Sequence, residues 1–330
     1  MLVPSLLMGL DNTSLANGKI FDKLSEYGFF KDLGRQIPSD GIYPYSLKSP
    51  LFSDYTEKNR FVYVPEGASL VFHPNKVFAF PVGSVLIKTF SYENLSSDLN
   101  RQLLETRLLI HQANGWHAET YIWNSDNSDA YRSIVGATID TQFSNDKGDI
   151  IDVRYRAPNL NQCKECHQLN KMLMPIGPKA RNLDKLEKYE SGYKNQLVMW
   201  HEIGWIEQQL NFIEMVNYEN ANNSIDARAR AYLDINCAHC HIKGGSGDTT
   251  GLYLDLAETD KLHLGIMKKP VATGRASFNL RYSIVPGESN NSILLKRMES
   301  LDPGIMMPES GRALAHTEGI ELIKRWIDQL

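Results

Sequence analysis

What the chain lacks narrows it first. No stretch approaches the roughly 20 consecutive apolar residues that a membrane-spanning helix needs, so nothing in the sequence reads as a transmembrane segment. Basic charge is not in excess. Lys and Arg number 35 against 39 Asp and Glu, a formal net charge of −4, and no basic cluster argues for nucleic acid as a partner. Cysteine is scarce, with only four in 330 residues. The stretch from Ile42 to about Ala157 holds no recognisable catalytic motif. Hydrophobic content of 42% and aromatic content of 10% are ordinary for a globular protein, so a sizeable core is expected. The length suggests two or three domains.

All four cysteines fall in two five-residue stretches, Cys163-Lys164-Glu165-Cys166-His167 and Cys237-Ala238-His239-Cys240-His241. Each reads C-x-x-C-H, the attachment pattern of c-type haem. Two thiols add across the two vinyl groups of one porphyrin, so they must stand about one helical turn apart. The residue after them falls under the iron, and its imidazole becomes the proximal ligand. A structural zinc site also uses C-x-x-C pairs, but its second pair usually follows within about 15–20 residues. Here the pairs are about seventy residues apart. A thioredoxin-like redox motif leaves the second copy unexplained, and neither alternative accounts for a histidine after both pairs. The expectation is two covalently attached haem c groups. Cys163, Cys166, Cys237 and Cys240 make the thioether links, and His167 and His241 are the proximal iron ligands.

The rest of the chain divides around these motifs. Residues 1–40 read as a lead-in, with Phe21, Leu24, Tyr27, Phe29 and Phe30 on a short helical stripe. Residues 41–157 carry short strand-like runs broken by turn signals, such as Phe61–Val64 before Pro65-Glu66-Gly67 and the alternating Ser84–Phe90. That spacing predicts a sandwich- or barrel-like β domain, with residues 94–100 as an exposed connection. Its charges Asp54, Lys58, Arg60, Lys88, Glu105 and Arg107 read as cross-strand pairs on a solvated face. His111 and His117 are each able to supply an iron ligand to the haem that follows in sequence.

Residues 158–223 form the first haem segment. Pro158-Asn159-Leu160 leaves little room for a long helix before Cys163, and Met174-Pro175-Ile176-Gly177-Pro178 is rigid and loop-like. The local candidate for this iron's distal ligand is Met174. Met172, Met199, His201 and Met215 are further candidates, and an open sixth position remains an alternative. Residues 224–330 are better specified. Ser224 caps a helix that leads into Cys237. A Met306-Met307-Pro308 loop follows, then a terminal helix with Ile320, Ile323, Trp326, Ile327 and Leu330 on one stripe. Met307 is the expected distal ligand rather than Met306, because Pro308 stiffens the loop behind it. The fold class expected is α+β and multidomain: an N-terminal mainly β domain followed by mainly α, cytochrome c-like haem domains.

The second domain is similar to class I cytochrome c domains through CAHCH, the Met307-Pro308 loop and the terminal LIKRWI helix. Over nearly the whole chain the sequence resembles an uncharacterised bacterial family of dihaem c-type cytochromes, conserved hypothetical proteins often encoded beside a parallel β-helix-repeat protein. SPLFSDYTEKNRFVYVPEG, FPVGSVLIKTFSYE, LLETRLLIHQANGW, YIWN, NQCKECHQLN and PIGPKARNLD carry that resemblance. It implies two covalent haems, export to the envelope, sometimes as a lipoprotein, and electron transfer. It implies no substrate.

Covalent haem attachment in bacteria takes place outside the cytoplasmic membrane, so a periplasmic or envelope location is expected. Met1–Leu10 is apolar but short, without a basic start or a small-residue cleavage site, and there is no lipobox cysteine. The simplest account is a targeting segment removed or lost to a misplaced start codon. Membrane association then depends on such a signal or on a lipid anchor. The expected function is electron transfer between redox partner proteins. One alternative is a dihaem peroxidase-like enzyme with an open site on the first haem, and another is the cytochrome subunit of a larger oxidoreductase.

Overall fold

The structure is a computed structural model that describes residues 12–93, 100–145, 147–207, 209–271 and 273–330. The apolar start Met1–Leu10 and, apart from Asn100, the connection expected at 94–100 lie outside the described residues. Six strands form one antiparallel sheet whose spatial order is the chain order: β1 (Ile42–Pro44), β2 (Glu57–Tyr63), β3 (Val85–Glu93), β4 (Arg101–Gln112), β5 (Gly115–Trp123) and β6 (Ala130–Arg132). Pairing each strand with its sequence neighbour needs only local turns, which antiparallel strands permit.

Strand alternation sorts the side chains onto two faces. Phe61, Val85, Ile87, Ile110, Tyr121 and Trp123 point to one side, where Leu24, Tyr27 and Phe29 of the lead-in cover them. The described part of the lead-in holds short helices at Asn12–Ala16 and Leu24–Tyr27 and a small hairpin of Phe30–Asp32 with Ile37–Pro38, not the longer helix its stripe suggests. Val62 and Leu86 point to the opposite side. A hairpin of β7 (Ala137–Ser144) and β8 (Ile150–Ala157) lays Phe143, Val153 and Tyr155 against Phe90, Tyr92 and Leu104.

The expected fold class is overturned here. An N-terminal β domain followed by mainly α haem domains does not describe this chain, which is mainly β, with fourteen strands in several sheets against seven helices among the described residues. Strands continue into the segment expected to be helical: Gln168–Leu169 pairs with Met172–Leu173, and Leu186–Tyr189 with Gly192–Asn195. Nor do the described residues separate a β core from a helical one. A single cluster holds Val62 and Leu86 of the sheet, Trp200 and Trp205 from mid-chain, and Ile235, Ile323 and Ile327 of the C-terminal helices. Periodicity shows that one face of a strand is apolar. It does not show whether a sheet, a helix or a loop lies on that face. The second hairpin also hides its type, because Leu186 and Tyr193 are largely exposed and leave no alternation to read.

The helices that matter for the site are α1 (Leu160–His167), α2 (Gln196–Glu202), α3 (Ile225–Asn236), α4 (Ile293–Glu299) and α5 (Thr317–Asp328). Ser224 caps α3, its hydroxyl accepting the Ala227 amide at 3.2 Å. The apolar stripe of α5 buries Leu322, Ile323, Trp326 and Ile327 and packs α5 against α3. At the contact Gly319 stands where a Cβ would come within 2.4 Å of the Tyr232 hydroxyl, so a glycine permits the approach. The Trp326 indole donates to Asp226 at 2.9 Å and ties the two helices at their other end.

Candidate functional site

The first C-x-x-C-H lies on α1. Asn159 opens the helix with a reciprocal cap: the Gln162 amide donates to the Asn159 side chain at 2.9 Å, and the Asn159 amide to the Gln162 side chain at 3.0 Å. Cys163 and Cys166 are therefore one turn apart, with His167 in the last turn. Asn170 and Lys171, both at positive φ, then reverse the chain. The reversal brings the Met174 carbonyl to 2.8 Å from His167 Nδ1. A carbonyl only accepts, so Nδ1 carries the hydrogen and the Nε2 lone pair is left for a metal.

The second motif follows α3 as a run of turns, in which the Cys240 and His241 amides both donate to the Cys237 carbonyl. His241 Nδ1 lies 3.3 Å from the Thr250 hydroxyl. That hydroxyl gives its one hydrogen to the Gly247 carbonyl at 2.6 Å. It therefore accepts from His241 Nδ1, and Nε2 is again the free nitrogen. Burial pushes the pKa of both histidines down to about 4, so each ring is neutral and able to ligate near neutral pH.

The two motifs meet. The Asn170 amide donates to the Gly244 carbonyl at 2.8 Å, and the Ser246 hydroxyl to the Glu165 carbonyl at 2.6 Å. Ligand atoms of Cys166, His239 and Cys240 all lie within 4.8 Å of one another. The Cys166 thiol hydrogen-bonds to Cys240, which lowers the Cys240 pKa and raises that of Cys166. Burial pushes Cys237 up to about 12 and also raises Cys163. Among the described residues this group of three is where metal-type ligands converge. Cys163 and Cys237 stand outside it, so no four-thiolate zinc site is assembled.

All four cysteines, His167 and His241 line one cavity of about 670 Å³, a size typical of cofactor pockets. Met307 and Pro308 line it as well. Met306 is buried at 4% exposure and faces a separate small cleft beside Arg156 and Leu314. Successive side chains diverge, so only one methionine of the pair can serve the cavity.

The other ligand candidates lie elsewhere. Met174 meets the first motif through its carbonyl, and its side chain is not part of the cavity wall. His111 stacks on Trp116 with ring centres 4.6 Å apart and bonds the Phe80 carbonyl through Nδ1 at 2.8 Å. His117 bonds Asn114 at 2.7 Å. Met172 is exposed, while Met199 and Met215 join the core, and neither these nor His201 line the cavity.

Sequence reasoning missed the opposite wall. Arg60 of β2, Lys88 of β3 and Arg107 of β4 line the cavity as direct cross-strand neighbours, Arg60 opposite Lys88 and Lys88 opposite Arg107. They share the face of Val62 and Leu86, not a solvated one. Burial lowers the pKa of Arg60 and takes that of Lys88 well below its usual value. A charged residue every second position looks the same in sequence whether its face meets water or an enclosed polar site. The one available signal was the repetition of the cations on adjacent strands.

Comparison with protein-family models, with curated proteins and with solved structures finds no match for this chain.

Proposed function

We propose that the chain is a dihaem c-type cytochrome that carries electrons between redox partner proteins in the bacterial cell envelope. The observation that carries the reading is the meeting of two C-x-x-C-H motifs, far apart in the chain, that present four thiols and two imidazoles to a single cavity. The donor set suits the group. Each thiol pair has the three-residue sequence spacing used for porphyrin vinyls, each following histidine has its Nε2 free, and Met307 lines the same cavity. Bound haem supplies one-electron iron chemistry. The chain's own part is to hold the two groups together, to orient His167 and His241 through Met174 and Thr250, and to enclose them.

His241 with Met307 would make a soft, high-potential axial pair for the second haem. Envelope location follows from the site of covalent attachment. No helix among the described residues is long and apolar enough to cross a membrane, so anchoring would come from a signal or lipid outside them.

A second reading is favoured by one observation. None of Met172, Met174, Met199, His201 or Met215 lines the cavity, so none of these closes the sixth position on the Cys163/Cys166 haem, and an open site there would suit a peroxidase-like activity. Intact mass and haemochrome spectra test the main reading, with two haems per chain expected and one lost on replacing Cys163 and Cys166 together by Ser. A chain expressed with haem-attachment machinery that carries none overturns it. Carbon monoxide titration of the reduced protein separates the two readings. One equivalent bound supports the open site and calls for peroxide turnover next. None bound supports two six-coordinate irons and a carrier.

A further inference from the structure

Among the described residues the row of cations on the sheet has no sufficient counter-charge. Arg107 pairs with Glu105, Nε to Oε2 at 3.0 Å, and Tyr155 donates to the same carboxylate. Arg60 and Lys88 pair with no carboxylate among the described residues. Arg60 is 8% exposed. Its Nη1 reaches only the Lys58 carbonyl at 3.4 Å, and its Nη2 has no partner. The Lys88 ammonium rests over the Phe90 ring at 4.5 Å, and the Arg107 guanidinium over the same ring at 4.3 Å. Like charges directly opposite on neighbouring strands destabilise a sheet, and a buried unpaired charge costs more. Arg60 and Lys88, both unpaired, and Arg107, with a single carboxylate partner, line one cavity and form a site for an anion with more than one negative group.

We propose that Arg60, Lys88 and Arg107 form the propionate site of the haem carried by Cys163, Cys166 and His167, an inference that rests on the dihaem reading. Two carboxylates of one porphyrin match the two guanidinium forks and the ammonium, with Glu105 holding Arg107 in place. The first haem is chosen over the second on geometry. α1, which carries Cys163, Cys166 and His167, packs against β5, the strand paired with the β4 strand of Arg107. Beside Met307 the cavity has a different cation, Arg297, whose carbonyl accepts the Met307 amide at 3.0 Å. Cations beside a haem disfavour the added positive charge of the ferric state, so the row raises the potential of that haem.

The test compares the wild-type holoprotein with Arg60→Gln, Lys88→Met and Arg60→Lys. Haem content is measured by intact mass, midpoints by redox titration, and the propionate bending band by resonance Raman. Arg60 and Lys88 leave no protein carboxylate behind when replaced, so both neutral variants are expected to fold and load. Each should lower one of the two midpoints by about tenfold in the reduction equilibrium, ~59 mV for one electron, and shift the propionate band. Arg60→Lys should restore most of the midpoint. Should Arg60→Gln load poorly, Lys88→Met carries the same comparison alone. Unchanged midpoints and an unchanged band in a two-haem variant overturn the site. So does a shift confined to the haem that responds to Met307→Ala. A wild-type chain with no covalent haem overturns the dihaem reading first.

Discussion

The sulfur of Cys240 lies 3.3 Å from the backbone carbonyl oxygen of Glu165, a residue 75 positions earlier in the chain. Through this contact the C-terminal thiol of each motif borders the other motif. Haems attached at Cys166 and Cys240 would then stand close enough for their transitions to interact. The expected result is a two-signed circular dichroism band in the Soret region of the holoprotein, together with two separated midpoints. A single-signed band that stays the same when either haem is removed by Cys-to-Ser replacement would sink the close-pair arrangement.

Met307→Ala should remove the thioether from the cavity without touching the core, since Met307 is half-buried on the wall while Met306 is buried elsewhere. The second haem should lose its methionine-to-ferric charge-transfer absorption. Its potential should fall by ~0.1–0.2 V, a modest part of the ~0.8 V that axial ligation spans. The first haem should not change. Met306→Ala should instead cost stability and leave the spectrum alone.

Gly247→Ala places a Cβ 2.9 Å from His241 Nδ1. That contact is too short, and the imidazole must tilt away from Thr250. Overpacking of this kind costs ~1–3 kcal/mol. The second haem's midpoint and its axial-ligand Raman band should move together. Wild-type stability and an unshifted band would show that the loop yields instead of the ring.

Asp234 on α3 is wholly buried between Lys179, at 3.1 Å, and Arg181, at 2.6 Å, and also accepts the Leu256 amide at 3.0 Å. Burial works against its charge, but Lys179 and Arg181 prevail and hold its pKa near 2. Asp234→Asn strands the buried Arg181 and should cost ~3–5 kcal/mol in urea unfolding. The wild-type pH dependence has a definite sign. The folded pKa is below the unfolded one, so this stabilisation is complete above about pH 4 and is lost as pH falls towards 2. The Asn variant should show a shallower loss across that window.

His316 adds an earlier step in acid. Its ring stacks on Phe52 at 4.2 Å and bonds the Tyr232 hydroxyl at 3.1 Å through Nδ1, and burial depresses its pKa to about 4. A histidine kept neutral in the folded state binds fewer protons there than when unfolded. Stability should therefore fall as pH drops from about 6.5 to about 4, and His316→Gln should flatten that slope. An identical slope in the variant would place the titration on another group.

Much of the site was legible locally. The thiol spacing, the histidine after each pair, the Ser224 cap and the α5 stripe depend on residues within a turn or two of one another, and Met307, expected as a distal ligand, lines the cavity. What was not legible depends on partners distant in the chain. Met174 was expected through its sulfur and acts through its carbonyl, because the reversal at Asn170 and Lys171 returns the backbone and not the side chain to His167. His111 shares a β-strand with Arg107, yet it is occupied by Trp116 and Phe80 away from the cavity.

By itself the sequence determined that two thiols and one imidazole fall within five residues at each motif, the arrangement on which the proposed haem attachment rests. The tertiary structure decided that both motifs open on one cavity, that the chain builds a mainly β molecule in which sheet and C-terminal helices share a core cluster, and that Arg60, Lys88 and Arg107 face inward. The reason is physical. Thiol spacing is set by one helical turn, whereas the face a strand turns to the interior is set by whatever packs against it, and that element lies outside the strand's own stretch of sequence.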